Sequence, residues 1–513
     1  MKNLYIRADA DAKIGAGHIM RSMALGQAWR KRGGKVTVFS CCQSERLRER
    51  IWNEGFELID IPKPFPHSED LKAVTETILK RPTPTIASIC DWVVIDGYHF
   101  TGEYQKAIRD LGVRVMVMDD DAPLPFYHAD IILNQNIHAS HLSYPCDPDT
   151  LTLLGTDYVL LRQEFLEYQG DTRTIPAKVE KILVTLGGSD PDNVTSKVVG
   201  AIHRLDHSGL AVKIIVGPAN PHIGALSDQL AGAAFKWELL HDVKNMPELM
   251  AWADIAISAA GSTCWEICYM GLPSLLIVAA DNQREIGSGL DKIGAALCLG
   301  WHEAVDEQKI YEKLKSIIDS SDTLRALSRK ARMLVDGKGI GRVMARFFDL
   351  KVSLRKSMQN DCAMVWRWAN DPQTRHASLN ADPIPWEDHV RWFNKILLEK
   401  DSRLYILELD SIPLGQIRFE KETEDAWMIS YSIAPEYRGF GLGAIMVRKG
   451  LSQMLLGKNH MTFIAKVKPG NLISKKIFMD AGFREITRAF DVKEKSFITY
   501  QLACAREECA CEY

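Results

Sequence analysis

No apolar run in this 513-residue sequence approaches the roughly 18 residues a membrane-spanning helix requires, and no apolar signal core follows Met1-Lys2-Asn3. The protein is therefore expected in the cytoplasm, without membrane partners. An excess of either charge is also missing. Lys plus Arg number 63 against 66 Asp plus Glu, a net charge of -3, which removes the electrostatic case for nucleic acid as a principal partner. Cysteine is sparse, with 11 scattered residues, as expected of reduced thiols rather than a secreted disulfide framework. Cys504, Cys509 and Cys511 gather near the end without a visible fourth ligand, so 503–513 reads as an exposed tail and not a metal site. What is present is a hydrophobic fraction of 46% and a charged fraction of 25%, the balance of a folded globular chain. Its length calls for about two to four domains.

The first informative stretch is Ile14-Gly15-Ala16-Gly17-His18, between a strand-like run at Leu4-Tyr5-Ile6-Arg7-Ala8 and a helix predicted from about His18 to Arg32. Glycines let a backbone approach a ligand closely, and the free N–H groups of a first helical turn favour an anion such as a diphosphate. The positive end of the helix dipole disfavours imidazolium at His18, which suits a general base. A structural turn remains the competing explanation, because the third glycine of the dinucleotide fingerprint is missing. Buried parallel strands are then predicted at Trp92-Val93-Val94-Ile95, ending at Asp96-Gly97-Tyr98-His99, and at Val113 to Met118, ending at Asp119-Asp120-Asp121. Ligands of open α/β sheets gather outside such carboxyl ends, so Asp96, Tyr98, Asp119 and Asp120 join His18 as candidates, with caps and turns as the structural alternative. Consecutive aspartates on an extended chain point in different directions, and no metal is expected there. Ile131-Ile132-Leu133 ends similarly in Asn134-Gln135-Asn136.

A linker at Gly170 to Pro176 leads into a second α/β region, which opens with the strand Lys181 to Leu186 and the glycine turn Gly187-Gly188-Ser189-Asp190-Pro191-Asp192-Asn193. Strands follow at Val212 to Val216, Ile255 to Ser258 and Leu275 to Val278. The second of these runs into Gly261-Ser262-Thr263-Cys264-Trp265-Glu266, and the last into Asp281-Asn282-Gln283-Arg284. Gly261, Ser262 and Thr263 offer donors to a diphosphate, while Glu266 can accept from two ribose hydroxyls. A capping box formed by Thr263 and Glu266 fits the same spacing. Two Rossmann-like domains facing each other across a cleft, nucleotide on the second and reacting group on the first, form the glycosyltransferase-B (GT-B) arrangement.

Residues 1 to about 349 resemble the UDP-sugar hydrolase of pseudaminic acid biosynthesis, itself similar in fold to the lipid-linked glycosyltransferase that builds the peptidoglycan disaccharide. The motifs that carry the resemblance are Arg7-Ala8-Asp9 with Gly15 to Arg21, Asp96-Gly97-Tyr98, Asp119-Asp120, Gly187 to Asn193, Gly261 to Glu266 and Asn282-Gln283. It implies hydrolysis of UDP-2,4-diacetamido-2,4,6-trideoxy-β-L-altropyranose to UDP and the free sugar. His18 is then expected to activate water, Asp9, Gly17, Arg21, Tyr98, Asn282 and Gln283 to surround the substrate, and Gly188, Ser189, Gly261, Ser262, Thr263 and Glu266 to hold UDP.

After a helical stretch from about Glu307 to Phe348, the strand-like Lys351 to Arg355 begins a third, α+β region. Its strand Ala426 to Ala434 runs into Arg438-Gly439-Phe440-Gly441-Leu442-Gly443 and a helix, and Asn471-x-x-Ser474-x-x-x-Phe478-x-x-x-Gly482-Phe483 follows. Converging N–H groups of such a loop suit a pyrophosphate, to which Arg438 adds charge. Both patterns resemble the GCN5-related N-acetyltransferases (GNAT). The resemblance implies acetyl-CoA as co-substrate, held by Ile433, Arg438, Gly439, Gly441, Gly443, Asn471 and Ser474. Many members carry tyrosine where Phe478 stands, as the acid that reprotonates the CoA thiolate, so here that acid is open between Ser474, another residue and water. Glu420 and His376 are the candidate bases.

Trp366-Arg367-Trp368-Ala369-Asn370-Asp371-Pro372 occurs in similar form in ribosomal-protein and nucleotide-sugar acetyltransferases. The expected domains are 1–168, 169–349 and 350–502, ahead of the tail. The combination implies a bifunctional enzyme. One region would acetylate the 4-amino group of UDP-4-amino-4,6-dideoxy-N-acetyl-β-L-altrosamine, and the other would hydrolyse the product. The alternatives are a UDP-sugar glycosyltransferase fused to a protein N-terminal acetyltransferase, or a non-catalytic nucleotide-sugar sensor.

Overall fold

A computed structural model describes residues 3–10, 15–80, 91–170, 173–188, 190–205, 209–217, 220–241, 243, 245–349, 352–378, 380–409, 412–438, 442–456, 460–489 and 497–505. Ile14, Ser189, Gly439, Gly441, Cys509 and Cys511 lie outside them. The chain divides into two compact units, Met1–Met344 and Ala345–Tyr513.

The first unit carries two parallel sheets. One is built from β1 (Asn3–Ala8), β2 (Lys35–Ser40), β3 (Glu57–Asp60), β4 (Trp92–Asp96), β5 (Arg114–Met118), β6 (Ile131–Asn134) and β7 (Leu151–Leu154), in the order β3-β2-β1-β4-β5-β6-β7. The other contains β8 (Lys181–Thr185), β9 (Ala211–Val216), β10 (Lys236–His241), β11 (Ile255–Ala259), β12 (Ser274–Val278) and β13 (Leu297–Trp301), in the order β10-β9-β8-β11-β12-β13. Both are Rossmann-like: strand order reverses between β1 and β4, and again between β8 and β11. A crevice opens at such a reversal, outside the carboxyl ends of the strands. The inner strands are continuous apolar runs because helices cover both faces. All five residues of β4 and all five of β11 are buried.

The edges are different in kind. β10 is exposed over most of its length, and β3 is exposed at both ends. β3 and β10 bury little and show no uninterrupted apolar run, and they are absent from the sequence expectation for that reason.

At the end of β1 the chain buries Arg7 between two carboxylates, Asp9 at 2.5 Å and Asp70 at 2.5 Å, and Tyr104 also donates to Asp70. Burial alone would raise the Asp9 carboxyl, yet His99 and Arg7 hold it down at about 2. A carboxylate with a depressed folded value stabilises the native state above its unfolded value and loses that contribution as pH falls through the folded one. Asp9 should therefore contribute about 2 kcal/mol above pH 4 that disappears between about pH 3.8 and 2. Denaturant unfolding across this window should show a shallower loss of stability in Asp9→Asn than in the wild type. Equal slopes would remove Asp9 from the acid response.

The second unit has a mostly antiparallel sheet of β14 (Val352–Lys356), β15 (Ser402–Leu409), β16 (Ile412–Lys421), β17 (Ala426–Ile433), β18 (His460–Val467), β19 (Arg484–Ala489) and β20 (Phe497–Ala505), in the order β14-β15-β16-β17-β18-β20-β19. The exception is β17 with β18, which run parallel and pair only from Ala426 to Met428. Beyond Met428 the two strands part. β20 continues to Ala505, so Cys504, expected in an exposed tail, instead lies in a strand opposite Met461.

Candidate active site

The Gly15 to His18 turn leads into the helix Gly17–Lys31, with Gly15 at a φ of 76° that a side chain would strain. His18 is buried in the first turn, and its Nδ1 lies 2.6 Å from Oδ1 of Asp96 at the end of β4. Arg21, one turn along the same helix, donates Nε to Oδ2 of Asp96 at 2.8 Å and Nη2 to Oδ1 at 2.6 Å. Its Nη2 also stands 3.3 Å from His18 Nδ1, but the shorter bonds to Asp96 claim that donor. Nδ1 of His18 is accordingly the donor to the carboxylate, which leaves the lone pair on Nε2. Burial would raise the Asp96 carboxyl, and the Arg21 guanidinium together with the His18 hydrogen bond reverses this and holds it well below the usual carboxylate range. Asp96 is thus favoured as the carboxylate behind the imidazole.

The same network reaches the second sheet. Asp120 accepts from Arg21 at 2.8 Å, from Tyr98 at 2.8 Å and from Asn136 at 2.7 Å. Burial raises the Asp120 carboxyl, but Arg21 carries it below its ordinary value. The Tyr98 ring meets His18 edge-on at 4.8 Å, and its hydroxyl accepts from Nδ2 of Asn282 at 2.9 Å. Asn282 belongs to the turn after β12, so this bond spans the two sheets. Asp119 turns away, taking the N–H groups of Asp121 and Ala122 and the hydroxyl of Tyr127. Burial pushes its carboxyl up. Asp9 also stands apart from this network, its oxygens met by Arg7, His99 and the Cys41 N–H.

Across from His18, Ser262 caps the helix Thr263–Met270 by position, with no hydrogen bond from the helix to its side chain. A Cβ built on Gly17 would stand 3.5 Å from Ser262 Oγ, so the two glycine turns come face to face. The N–H groups of both helix starts are the donors this crevice offers an anion. The capping box that the spacing of Thr263 and Glu266 also allows does not form. Glu266 instead accepts from Arg162, at 2.8 Å from Nη2 and 3.2 Å from Nε, and Arg162 also binds Glu164. Arg162 escaped the sequence reading because a lone arginine after Leu160-Leu161 carries no motif. Gln283 accepts from the Ala279 N–H and lies beside Gly261.

Gly188 follows β8 and is crossed closely by the end of β9. A Cβ on Gly217 would stand 2.2 Å from the Gly188 carbonyl oxygen. Because that neighbour is backbone, Gly217→Ala should cost about 1–3 kcal/mol and shift the Gly188 turn. Thermal unfolding should show a lower midpoint, and a wild-type midpoint would contradict the packing.

In the second unit, the parting of β17 from β18 leaves one side of Ile429 to Ile433 unpaired by β18. Arg438 donates to the Ile433 carbonyl at 3.2 Å, to Asp371 at 2.5 Å, to Thr374 at 2.7 Å and to Gln373 at 2.8 Å. The guanidinium thereby ties the end of β17 to the helix Pro372–Ala377. Gly443 lies in the first turn of the helix Leu442–Leu455, where a Cβ would press on Ile477 and Tyr431. Asn471 caps the helix Leu472–Asp480 by accepting from the Ser474 N–H at 3.1 Å. The Ser474 hydroxyl is 3.1 Å from that of Tyr431, whose ring meets Phe478 edge-on at 5.7 Å. Burial raises the Tyr431 phenol. This phenol was not singled out in the sequence, because nothing in a strand spacing says which hydroxyl its face will meet. Glu420 lies on β16 opposite Met428, where β17 and β18 begin to part, whereas His376 is exposed on the Pro372–Ala377 helix.

Residues 182–339 match the model of the glycosyltransferase family 28 C-terminal domain, and residues 351–484 that of the acetyltransferase (GNAT) domain. The spore coat polysaccharide biosynthesis protein SpsG of Bacillus subtilis is 26% identical over 347 residues, 67% of this chain and 97% of SpsG. The UDP-2,4-diacetamido-2,4,6-trideoxy-beta-L-altropyranose hydrolase of Campylobacter jejuni is 24% identical over 301 residues, 57% of this chain and 97% of that protein. An uncharacterized protein of Methanocaldococcus jannaschii is 24% identical over 495 residues, 94% of this chain and 96% of its own, and so spans both units.

Proposed function

We propose, from the premise that this chain is a homologue of the Campylobacter hydrolase and of SpsG joined to a GNAT acetyltransferase domain, that it carries out two successive reactions on one UDP-linked amino sugar. In the first, the 4-amino group of UDP-4-amino-4,6-dideoxy-N-acetyl-β-L-altrosamine attacks the thioester carbonyl of acetyl-CoA. The C–S bond breaks, CoA leaves as the thiolate and takes a proton, and the nitrogen loses one. In the second, water attacks C1 of the resulting UDP-2,4-diacetamido-2,4,6-trideoxy-β-L-altropyranose while the bond from C1 to the UDP oxygen breaks, giving inversion at C1.

The observation that carries the hydrolytic half is the 2.6 Å contact between His18 and the Asp96 carboxylate, opposite the Ser262 helix start. Nε2 of His18 takes the proton of the attacking water, and Asp96 stabilises the imidazolium that results. The leaving diphosphate gathers negative charge, which the N–H groups and hydroxyls at Gly261 to Thr263 are suited to meet. Tyr98, next to the His18 ring, and Asn282, joined to Tyr98 across the crevice, are suited to border the sugar. For the acetyl transfer, what supports the assignment is the matched domain together with the parting strands, the Arg438 cluster and Asn471. Acetyl-CoA supplies the activated acetyl group there, with Ile433, Arg438, Gly443, Asn471 and Ser474 as the groups that hold it.

Mass spectrometry of the products from the 4-amino UDP-sugar plus acetyl-CoA tests both halves together. The expected products are the doubly acetylated free sugar, UDP and CoA, with no added sugar acceptor. An intact acetylated UDP-sugar would overturn the hydrolytic half, and an unchanged amine would overturn the other.

A further inference from the structure

β16 and β17 present six alternate residues on one face: Gln416, Arg418 and Glu420 opposite Ser432, Ser430 and Met428. All six are half-buried, whereas Ile417, Phe419 and Ile429 between them are buried on the other face. On the neighbouring β15, Leu404 and Ile406 pair with Arg418 and Gln416 and are sealed under the helices Cys362–Ala369 and Trp386–Leu398. The polar floor therefore begins where the helical cover ends. Its Met428, Ser430 and Ser432 lie on β17, the strand that parts from β18, and so border the place assigned to the acetyl donor.

Two atoms of this floor are unmet. Nε of Arg418 and Oε1 of Gln416 are buried without a hydrogen-bond partner, although Gln416 Nε2 reaches the Ser432 hydroxyl at 3.3 Å. Burial lowers the Arg418 guanidinium, which Glu420 meets at 3.2 Å on one side and the Trp392 ring covers at 5.4 Å. Pairing with Glu420 leaves the floor close to neutral, which argues against a diphosphate or an acidic peptide as its ligand. What it lacks is one hydrogen-bond acceptor for Arg418 and one donor for Gln416, on alternate residues of the same strand face. A secondary amide offers both, its C=O to the guanidinium and its N–H to the carboxamide oxygen. Unsatisfied buried polar atoms are costly, and a ligand that satisfies them once Trp392 turns aside gains selectivity over one that does not.

We infer that Gln416, Arg418 and Trp392 form a subsite for an acetamido group on the acetyl acceptor, so that the second unit selects an amino sugar already N-acylated at a neighbouring carbon. This rests on the assignment of an amino sugar as acceptor.

The test compares two acceptors with the full-length enzyme: the 4-amino UDP-sugar bearing a 2-acetamido group and the same compound with a 2-hydroxyl. The wild type should prefer the acetamido compound by about 10- to 100-fold in kcat/KM. Gln416→Leu and Arg418→Met should each bring that ratio close to unity. A purely structural role would lower both rates and preserve the ratio, and that result in either folded variant overturns the subsite. A wild-type ratio near unity overturns it as well, leaving the amino-sugar assignment intact. Failure of the wild type to acetylate either compound overturns the assignment itself.

Discussion

Replacing His18 with alanine is expected to slow UDP release by about 10² to 10⁴ while leaving the affinity for UDP nearly unchanged. The separation follows from geometry. His18 stands on the first sheet with its Nδ1 fixed by Asp96, whereas the groups assigned to UDP lie on the second, around Gly188 and Gly261 to Glu266. Losing the imidazole removes the acceptor for the water proton but not the diphosphate donors. Single-turnover measurements of UDP formation, paired with calorimetric titration of UDP, read the two effects independently. Turnover within twofold of the wild type would remove His18 from the reaction, and a parallel loss of UDP affinity would place it in binding instead.

Asp96→Asn should be nearly as damaging for a different reason, lowering turnover by up to about 10⁴. The amide can present its NH2 to Nδ1, which drives the imidazole proton onto Nε2 and removes the lone pair that accepts from water. A neutral side chain also cannot stabilise the imidazolium formed in the reaction. Arg21 would at the same time lose one of its two carboxylates and keep Asp120 at 2.8 Å. Breaking a buried ion pair from one side costs about 3–5 kcal/mol, and the surviving partner puts this case at the low end. The signature is a large fall in kcat together with a modest drop in the urea midpoint. A destabilised but fully active variant would show that Asp96 serves Arg21 alone.

These expectations mark what was legible in the sequence. Interior parallel strands such as Trp92–Asp96 and Ile255–Ala259 announced themselves because both faces are buried and every residue is apolar or small up to the strand end. Their polar ends pointed to the crevice for the same reason, and His18, Asp96, Tyr98 and Asn282 were all singled out. Their pairing was not legible. His18 meets Asp96 only because β4 takes its place beside β1, and strand order is a property of the folded sheet that no local spacing encodes. Long-range ionic partners were hidden likewise. Arg162 reaches Glu266 across 104 residues, displacing the local capping box that the spacing of Thr263 and Glu266 suggested. In the second unit the glycine turn and Asn471 were readable as motifs, whereas Tyr431 became visible only when its strand was set against the helix that carries Ser474.

The position of β4 next to β1 also has a consequence in time. The histidine and its carboxylate are separated by 78 residues, and among the described residues β2, β3 and the helices Glu45–Asn53 and Ser68–Leu79 lie between them. At a synthesis rate of about 5–20 residues per second, roughly 4–16 s pass between the two residues being joined to the growing chain. Throughout that interval the Gly15 to His18 turn has no counter-charge for its histidine, and Arg21 has neither Asp96 nor Asp120. A nascent chain interrupted before Asp96 would therefore carry the glycine turn but none of the chemistry assigned to it.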